Sequence, residues 1–405
     1  MPGPGPAPLT LAFFDLPWAS RLATTLPIVR ALVDRGHRVV AFTLEGLRAQ
    51  VEAAGAEVVP QPPFTAPPPD CTVNLRAIDY AARAVPTLVE VLAARAPDAV
   101  IFTAKCLWAA LAADVLGLPT IGIHTNALWP RAVPLPARVQ AAGRVFGALP
   151  PTAVDALVAR DRAAWDALAA RFAPRRIEAV DVVPPLANAM NLRGDHNLVY
   201  TAAALQPHRE AFGPGYHFVG PCYDAPDDDP AFAATLEALP RPRVYAALGS
   251  IPAYRHRPAL LAALARALGG GERGVIVAAG DAVDAIGDPG PAVCVRRWVP
   301  QRLALAHADL FVSHAGTNSA YEALLAGVPL LMLPQGADQF IVAWHAERLG
   351  LGRWFDGPPE QIGAAVDALI ADRALAERVR AAGAALRSAG GVARAVAVIE
   401  AALGR

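Results

Sequence analysis

Short apolar runs alternate with helix-length stretches along most of this sequence, and that alternation limits the fold more than any other feature. Residues 9–14 (LTLAFF) read as a strand. Residues 20–35 follow with Leu22, Leu26, Val29, Leu32 and Val33 at helical spacing, and Gly36 ends that helix. Residues 38–43 (RVVAFT) form the next strand, and a helix through 45–54 closes at Gly55. The pattern returns at 98–103 (DAVIFT), at the helix 105–116 and at 119–123 (PTIGI). Parallel neighbours need a crossover helix, so strand–helix–strand units of this kind predict a parallel, doubly wound sheet.

The alternation weakens between about 129 and 195, where the chain is mostly helical, and resumes at 197–201 (NLVYT) and 243–248 (RVYAAL). Further strands are expected near 274–279, 310–313 and 328–333. The 405 residues thus divide into an N-terminal α/β domain (1–222), a linker rich in proline and aspartate (223–242), a second α/β domain (243–385) and a tail helix (386–405). Two such sheets place strand ends, and with them any ligand, at the cleft they face across.

Composition narrows the classes. With 54% hydrophobic and 18% charged residues the chain builds cores and is not disordered. The 36 basic and 36 acidic residues balance, which argues against nucleic acid or an anionic membrane as main partner. The four cysteines, Cys71, Cys106, Cys222 and Cys294, form no CxxC pair and no disulfide framework, so a reducing, cytoplasmic compartment is expected. Neither a signal peptide nor an integral membrane span is expected. Lys105 is the one lysine among the basic residues. That arginine bias, with the abundant alanine and proline, suggests a GC-rich bacterial genome.

The richest stretch is 294–352. A strand over Leu310–Ser313 leads through His314-Ala315-Gly316-Thr317 into a helix over 317–326, closed by Gly327. The first N–H groups of such a helix are unpaired and carry the positive end of its dipole, which suits phosphate. Small, polar Thr317, Asn318 and Ser319 admit an anion, Gly316 removes a blocking Cβ, and Glu322 one turn on is an acceptor suited to ribose hydroxyls. Asn318 and Ser319 alone would be equally well read as an ordinary helix N-terminus.

The matching elements are Trp298-Val299-Pro300-Gln301, His314-x-Gly316-x-Asn318-Ser319-x-x-Glu322, Gly327-Val328-Pro329, Pro334 and Asp338-Gln339. Together they resemble the donor-binding signature of the UDP-glycosyltransferase superfamily, the family 1 glycosyltransferases, and most closely its bacterial macrolide- and flavonoid-type members. Residues 26–36, 51–55 and 216–221 extend the resemblance into the N-terminal half. The resemblance implies a GT-B fold, two Rossmann-like domains, and an inverting transferase without a metal or cofactor beyond the nucleotide sugar. It implies that Trp298 stacks on the base and Gln301 lies near the nucleoside, with Val299, Gly316 and Thr317 also at the donor. His314, Asn318, Ser319 and Ser250 would hold the diphosphate, Glu322 the ribose, and Asp338 and Gln339 the transferred sugar. Ala315 stands where the family usually has a second glycine, a departure that reads as minor.

The N-terminal half departs further. The family's histidine that deprotonates the acceptor aligns with Arg21, and its supporting aspartate with Thr103. Arginine stays protonated and is no base. Three readings follow: an acceptor already ionised and held by Arg21 and Lys105; another base, His124 or Asp15; or binding of a nucleotide sugar without transfer. Each residue has a plain structural alternative, and His37 is expected on the surface. No P-loop, classical strand-to-helix dinucleotide fingerprint, HExxH or clustered His/Cys set occurs. Asp227-Asp228-Asp229 reads as a solvated acidic turn rather than a metal motif. The expectation is a glycosyltransferase moving a hexose from a UDP-sugar, with dTDP the alternative, to a hydrophobic small molecule in natural product biosynthesis. Phe64, Trp129 and Phe146 would line the acceptor pocket. The rivals are a non-catalytic nucleotide-sugar-binding protein and a GT-B enzyme of another reaction, such as an epimerase.

Overall fold

The computed structural model describes residues 7–16, 19–62, 73–130, 132–147, 151–182, 191–225, 228–249, 258–269, 272–287, 289–336 and 338–404. The chain forms two compact units. Unit 1 holds residues 1–134, 148–224 and 388–405, and unit 2 holds 135–147 and 225–387.

Unit 1 is built on a seven-stranded sheet in the order β3-β2-β1-β4-β5-β6-β7, with every pairing parallel. Its strands are β1 (Thr10–Phe14), β2 (Arg38–Thr43), β3 (Glu57–Pro60), β4 (Ala99–Thr103), β5 (Thr120–His124), β6 (His196–Val199) and β7 (Tyr216–Phe218). Successive side chains alternate between two cores. Ala12, Phe14, Val40, Phe42, Val100 and Phe102 join one cluster, which holds residues of the helices Val73–Arg95 and Leu107–Leu116. Leu11, Phe13, Val39, Ala41, Ala99 and Ile101 join the other, with the helices Ala19–Asp34 and Gly391–Ala402. A parallel sheet covered on both faces needs apolar residues at every central position, which is what these runs supply.

Unit 2 repeats the scheme with six parallel strands in the order β10-β9-β8-β11-β12-β13. These are β8 (Arg243–Ala247), β9 (Gly274–Ala278), β10 (Val293–Arg296), β11 (Leu310–Ser313), β12 (Leu330–Met332) and β13 (Gly352–Trp354). One face packs Val244, Ala246, Val275, Val277, Leu310, Val312 and Leu331 under the helices Pro258–Gly269 and Ile362–Ala371.

Several expectations change. Residues 223–242 are not simply a linker: Pro230–Ala238 is a helix, N-capped by the Asp229 carboxylate, which accepts from the Phe232 N–H at 2.9 Å. Phe232 and Leu236 bury its apolar side. Residues 135–147, expected with the N-terminal domain, belong to unit 2. The tail is two helices, Arg373–Ser388 and Gly391–Ala402, broken where Gly390 and Gly391 take positive φ of 100° and 53°. Its last helix belongs to unit 1. Residues 373–402 are long and apolar enough on composition to cross a membrane, but that break interrupts the run.

Candidate active site

In unit 2 the strand order reverses between β8 and β11, the place where doubly wound sheets bind ligands at the carboxyl ends of their strands. His314 stands directly after β11. Its imidazole is 8% exposed and lies against Gly249, which follows β8, and against Gly316. A Cβ on either glycine would collide with Nε2, at 2.5 Å in the case of Gly249, so both positions need a bare backbone. Gly316 therefore makes room first for this ring, where the sequence suggested room for an anion. Burial lowers the His314 pKa to about 4, with the Asp338 carboxylate and the Ala247 carbonyl pulling weakly the other way. The ring is thus neutral at neutral pH, and its Nδ1 makes no hydrogen bond among the described residues. Ala315 has φ of 62°, in the left-handed region. The alanine-for-glycine exchange that read as minor carries a strain of about 1 kcal/mol.

Gly316 caps the helix Thr317–Ala326, whose first turn carries Asn318 and Ser319. Gln301 at the start of the helix Gln301–His307 ties this turn to Glu322 and Tyr245. Its Nε2 donates to Ser319 Oγ at 3.1 Å and to Glu322 Oε2, and its Oε1 accepts from Tyr245 at 3.4 Å. Glu322 is thereby fixed as an acceptor. Val299 is buried, whereas Trp298 is 68% exposed, the most exposed large apolar side chain among the described residues. Asp338 accepts from Thr317 Oγ1 at 3.2 Å. Gln339 is buried, and its Oε1 accepts the N–H groups of Gln335 (2.7 Å) and Gly336 (3.1 Å), so in this structure it shapes the loop before it.

In unit 1 the order reverses between β1 and β4, and Asp15 and Thr103 meet there. Asp15 is 4% exposed. Its Oδ1 accepts from the Leu16 N–H (2.6 Å) and Thr103 Oγ1 (2.9 Å), and its Oδ2 from Thr25 Oγ1 (2.6 Å). The threonine at the family's aspartate position therefore contacts a carboxylate supplied by β1. Arg21 lies in the helix Ala19–Asp34 and Phe146 in Ala137–Gly147, but their side chains, with Ser250 and Phe64, lie outside the described residues. Lys105 follows β4, half-buried. Trp129 donates to the Val133 carbonyl at 2.7 Å and meets His208 edge-on at 4.8 Å.

His124 is a structural histidine. It is buried, with Nδ1 2.9 Å from Asn191 Oδ1 and Nε2 2.9 Å from Asn197 Oδ1. Asn197 is oriented by the Gly194 N–H, so Nε2 is the donor. Desolvation lowers the ring's pKa, and neither nitrogen is left to take a proton from an acceptor. His37, expected on the surface, is buried: Nδ1 accepts from the Leu9 N–H at 3.1 Å and Nε2 donates to Glu400 at 3.1 Å.

Sequence reasoning missed Gly249 and Thr25. Gly249 had a signal, a glycine directly after an apolar strand; Thr25, ten residues from Asp15, had none. A cavity of about 370 Å³ elsewhere in unit 1 includes Asp114, Arg176 and Asp195 in its wall and none of the site residues expected from the sequence. Within it Arg176 bonds Asp114 at 2.7 Å and Asp195 at 3.0 Å.

Known proteins are similar to this chain over most of its length. A family model described as UDP-glucoronosyl and UDP-glucosyl transferase matches residues 243–374. Demethyllactenocin mycarosyltransferase of Streptomyces fradiae is 28% identical over 96% of this chain and 86% of its own. The NDP-glycosyltransferase YjiC of Bacillus subtilis is 26% identical over 96% of both. Among solved structures, the glycotransferase of kitacinnamycin superposes with a TM-score of 0.80 at 26% identity, covering 98% of this chain and 99% of the other. CalG4, the calicheamicin glycosyltransferase, does so with 0.76 at 25%, over 98% and 99%. The chain is a glycosyltransferase on the GT-B fold, similar over residues 243–374 to the UDP-glucoronosyl and UDP-glucosyl transferase family and along its length to bacterial glycosyltransferases.

Proposed function

We propose that this enzyme moves a hexose, with inversion, from a nucleotide sugar to a hydrophobic small-molecule natural product, without a metal or cofactor. The observation that carries the donor half is the buried His314 imidazole beside the first turn of Thr317–Ala326. Its Nδ1 lacks a partner among the described residues, and leaving a buried polar atom so costs roughly 1–3 kcal/mol. A diphosphate supplies the partner and meets the helix N–H groups of Thr317, Asn318 and Ser319. Those donors also stabilise the charge that develops as the diphosphate leaves. The exposed Trp298 ring offers a stacking face to the base. Glu322, held by Gln301, accepts from ribose hydroxyls, which favours UDP with its two hydroxyls over dTDP with one. Asp338 and the amide of Gln339 read the sugar.

For the acceptor half, Asp15 takes the hydroxyl proton. The Thr103-to-Asp15 hydrogen bond supports this reading, because it returns a carboxylate to the place where the family keeps one. The alternative is an ionised acceptor held by Arg21 and Lys105. The test is a panel of UDP- and dTDP-sugars with neutral phenols, alcohols and carboxylic acids, assaying transfer, hydrolysis and product anomer. In the proposed case a neutral hydroxyl is glycosylated with inversion, and Asp15→Asn removes the acid limb of the pH–rate profile. Activity confined to acids, intact in Asp15→Asn and lost in Arg21→Ala, selects the alternative. No turnover of any nucleotide sugar defeats both.

A further inference from the structure

The segment 135–147 stands apart from its neighbours in sequence, since it belongs to unit 2 although the residues on either side belong to unit 1. Its helix Ala137–Gly147 packs on the helix Gln339–Arg348. The contact is organised by Arg138. One guanidinium nitrogen donates to Glu347 Oε2 at 2.7 Å; the other donates to Asp356 Oδ2 at 3.0 Å and to the Trp354 carbonyl at 3.4 Å. The guanidinium also lies 4.1 Å from the centre of the Trp354 ring system. Glu347 is held from its other oxygen by the Trp354 N–H at 2.9 Å. Half-exposed ion pairs are individually weak in water. A planar fork that also stacks on a buried indole is a different object, because stacking and bonding demand the same orientation.

Trp354 connects this knot to the donor residues. Its ring stacks on Phe340, with centroids 6.0 Å apart and planes 28° apart. Phe340 follows Gln339, whose amide oxygen anchors the N–H groups of Gln335 and Gly336. Asp338 immediately before it bonds Thr317 in the phosphate-side helix. Arg138 thus fixes the far end of the helix that begins at Asp338 and Gln339, and braces the aromatic pair beneath that beginning.

We infer that Arg138 is a positioning residue for donor-sugar recognition: through Trp354 and Phe340 it sets the seat of Asp338 and Gln339. The inference rests on the donor reading above. It assigns to a segment of the N-terminal half an effect on the sugar end of the donor and none on its nucleotide end, where Trp298, Gln301 and Glu322 lie on other elements.

The test compares ligands with and without the sugar, on the full chain. In Arg138→Ala, the KM for UDP-glucose or dTDP-glucose rises about three- to tenfold, and calorimetric affinity for the same nucleotide sugar falls equally. Affinity for UDP and dTDP stays within about twofold of the parent, since a coupling carried by one helix end reaches only what that end holds. Arg138→Lys keeps the cation but loses the planar stack, and falls between the two; it carries the test if the alanine variant does not fold. Equal losses for nucleotide sugar and nucleoside diphosphate, or no loss for either, overturn the inference. Parent protein that binds neither class of ligand overturns the donor reading beneath it instead.

Discussion

At the residue scale, His314 and Ala315 show how much local chemistry the site concentrates. A buried neutral histidine binds fewer protons than its unfolded counterpart as pH falls below about 6.5 and until it titrates near 4. Over that window the unfolded state gains protons that the folded state refuses, so stability declines as pH drops. The slope of unfolding free energy between pH 6.5 and 4, measured by denaturant titration, should flatten in His314→Gln. Ala315→Gly should raise stability by about 0.5–1 kcal/mol, because glycine enters the left-handed region without the Cβ penalty while the unfolded chain gains some freedom. Thermal unfolding checks it; a fall in Tm would mean that the strain is absent. The cluster around His314 was legible in sequence because strand, turn and helix are contiguous there, and spacing along the chain is spacing in space. The Asp15–Thr25–Thr103 cluster was not, because its members are brought together only by adjacency of β1 and β4 and by the first turns of a helix. His37 was misplaced for the same reason: its partner Glu400 lies 363 residues away.

At the element scale, the nine strands read from the sequence are all present, and the four that were missed are β3, β7, β10 and β13. These four are the edges of the two sheets. Edge strands here are short and only partly buried, as in Glu57–Pro60 and Tyr216–Phe218, so they lack the unbroken apolar run that marks a central parallel strand. The helix Pro230–Ala238 hid among prolines and aspartates because those residues serve at its start, Asp229 as cap and Pro230 in the first turn. The last helix is tied to unit 1 by Glu400. Arg35 bonds it through two nitrogens, at 2.6 and 2.8 Å, and His37 adds a third contact. The Arg35 hydrogen bonds hold the Glu400 carboxyl below its ordinary value of 4.5. A depressed folded pKa means a contribution fully present above about 4.5 and lost as pH falls through the folded value. Glu400→Gln at pH 7 should therefore speed amide hydrogen exchange in 391–402 by roughly tenfold, the equivalent of losing one charge-assisted bond, while the centre of the unit 1 sheet is unaffected. Uniform acceleration across unit 1 would place Glu400 in the global core instead.

At the scale of the whole molecule, each unit carries a strand-order reversal with a polar cluster at its carboxyl ends, Asp15–Thr103 in one and His314–Gly316 in the other. The sequence division placed 135–147 with the N-terminal domain and left the tail helix by itself, because helical periodicity reports that a face is buried and not what buries it. If the two clusters hold different substrates, binding and chemistry separate by residue. Trp298→Ala should weaken UDP binding by about 1–3 kcal/mol, the usual value of an aromatic stacked on a base. With the donor saturated, kcat should fall little, because a base held equally in ground and transition states contributes uniform binding. Asp15→Asn should do the reverse. UDP affinity should stay within about twofold, and kcat should fall by roughly 10²–10⁴, the range for loss of a positioned general base. The asparagine keeps one acceptor oxygen for Thr103 and the Leu16 N–H, and its new amide N–H faces Thr25 Oγ1, whose own proton turns to the Leu22 carbonyl 3.4 Å away, so the fold is little disturbed. Calorimetry with UDP and initial rates with saturating donor decide the matter. Loss of UDP affinity in Asp15→Asn, or an unchanged kcat, would mean that the carboxylate organises β1 and β4 and takes no part in transfer.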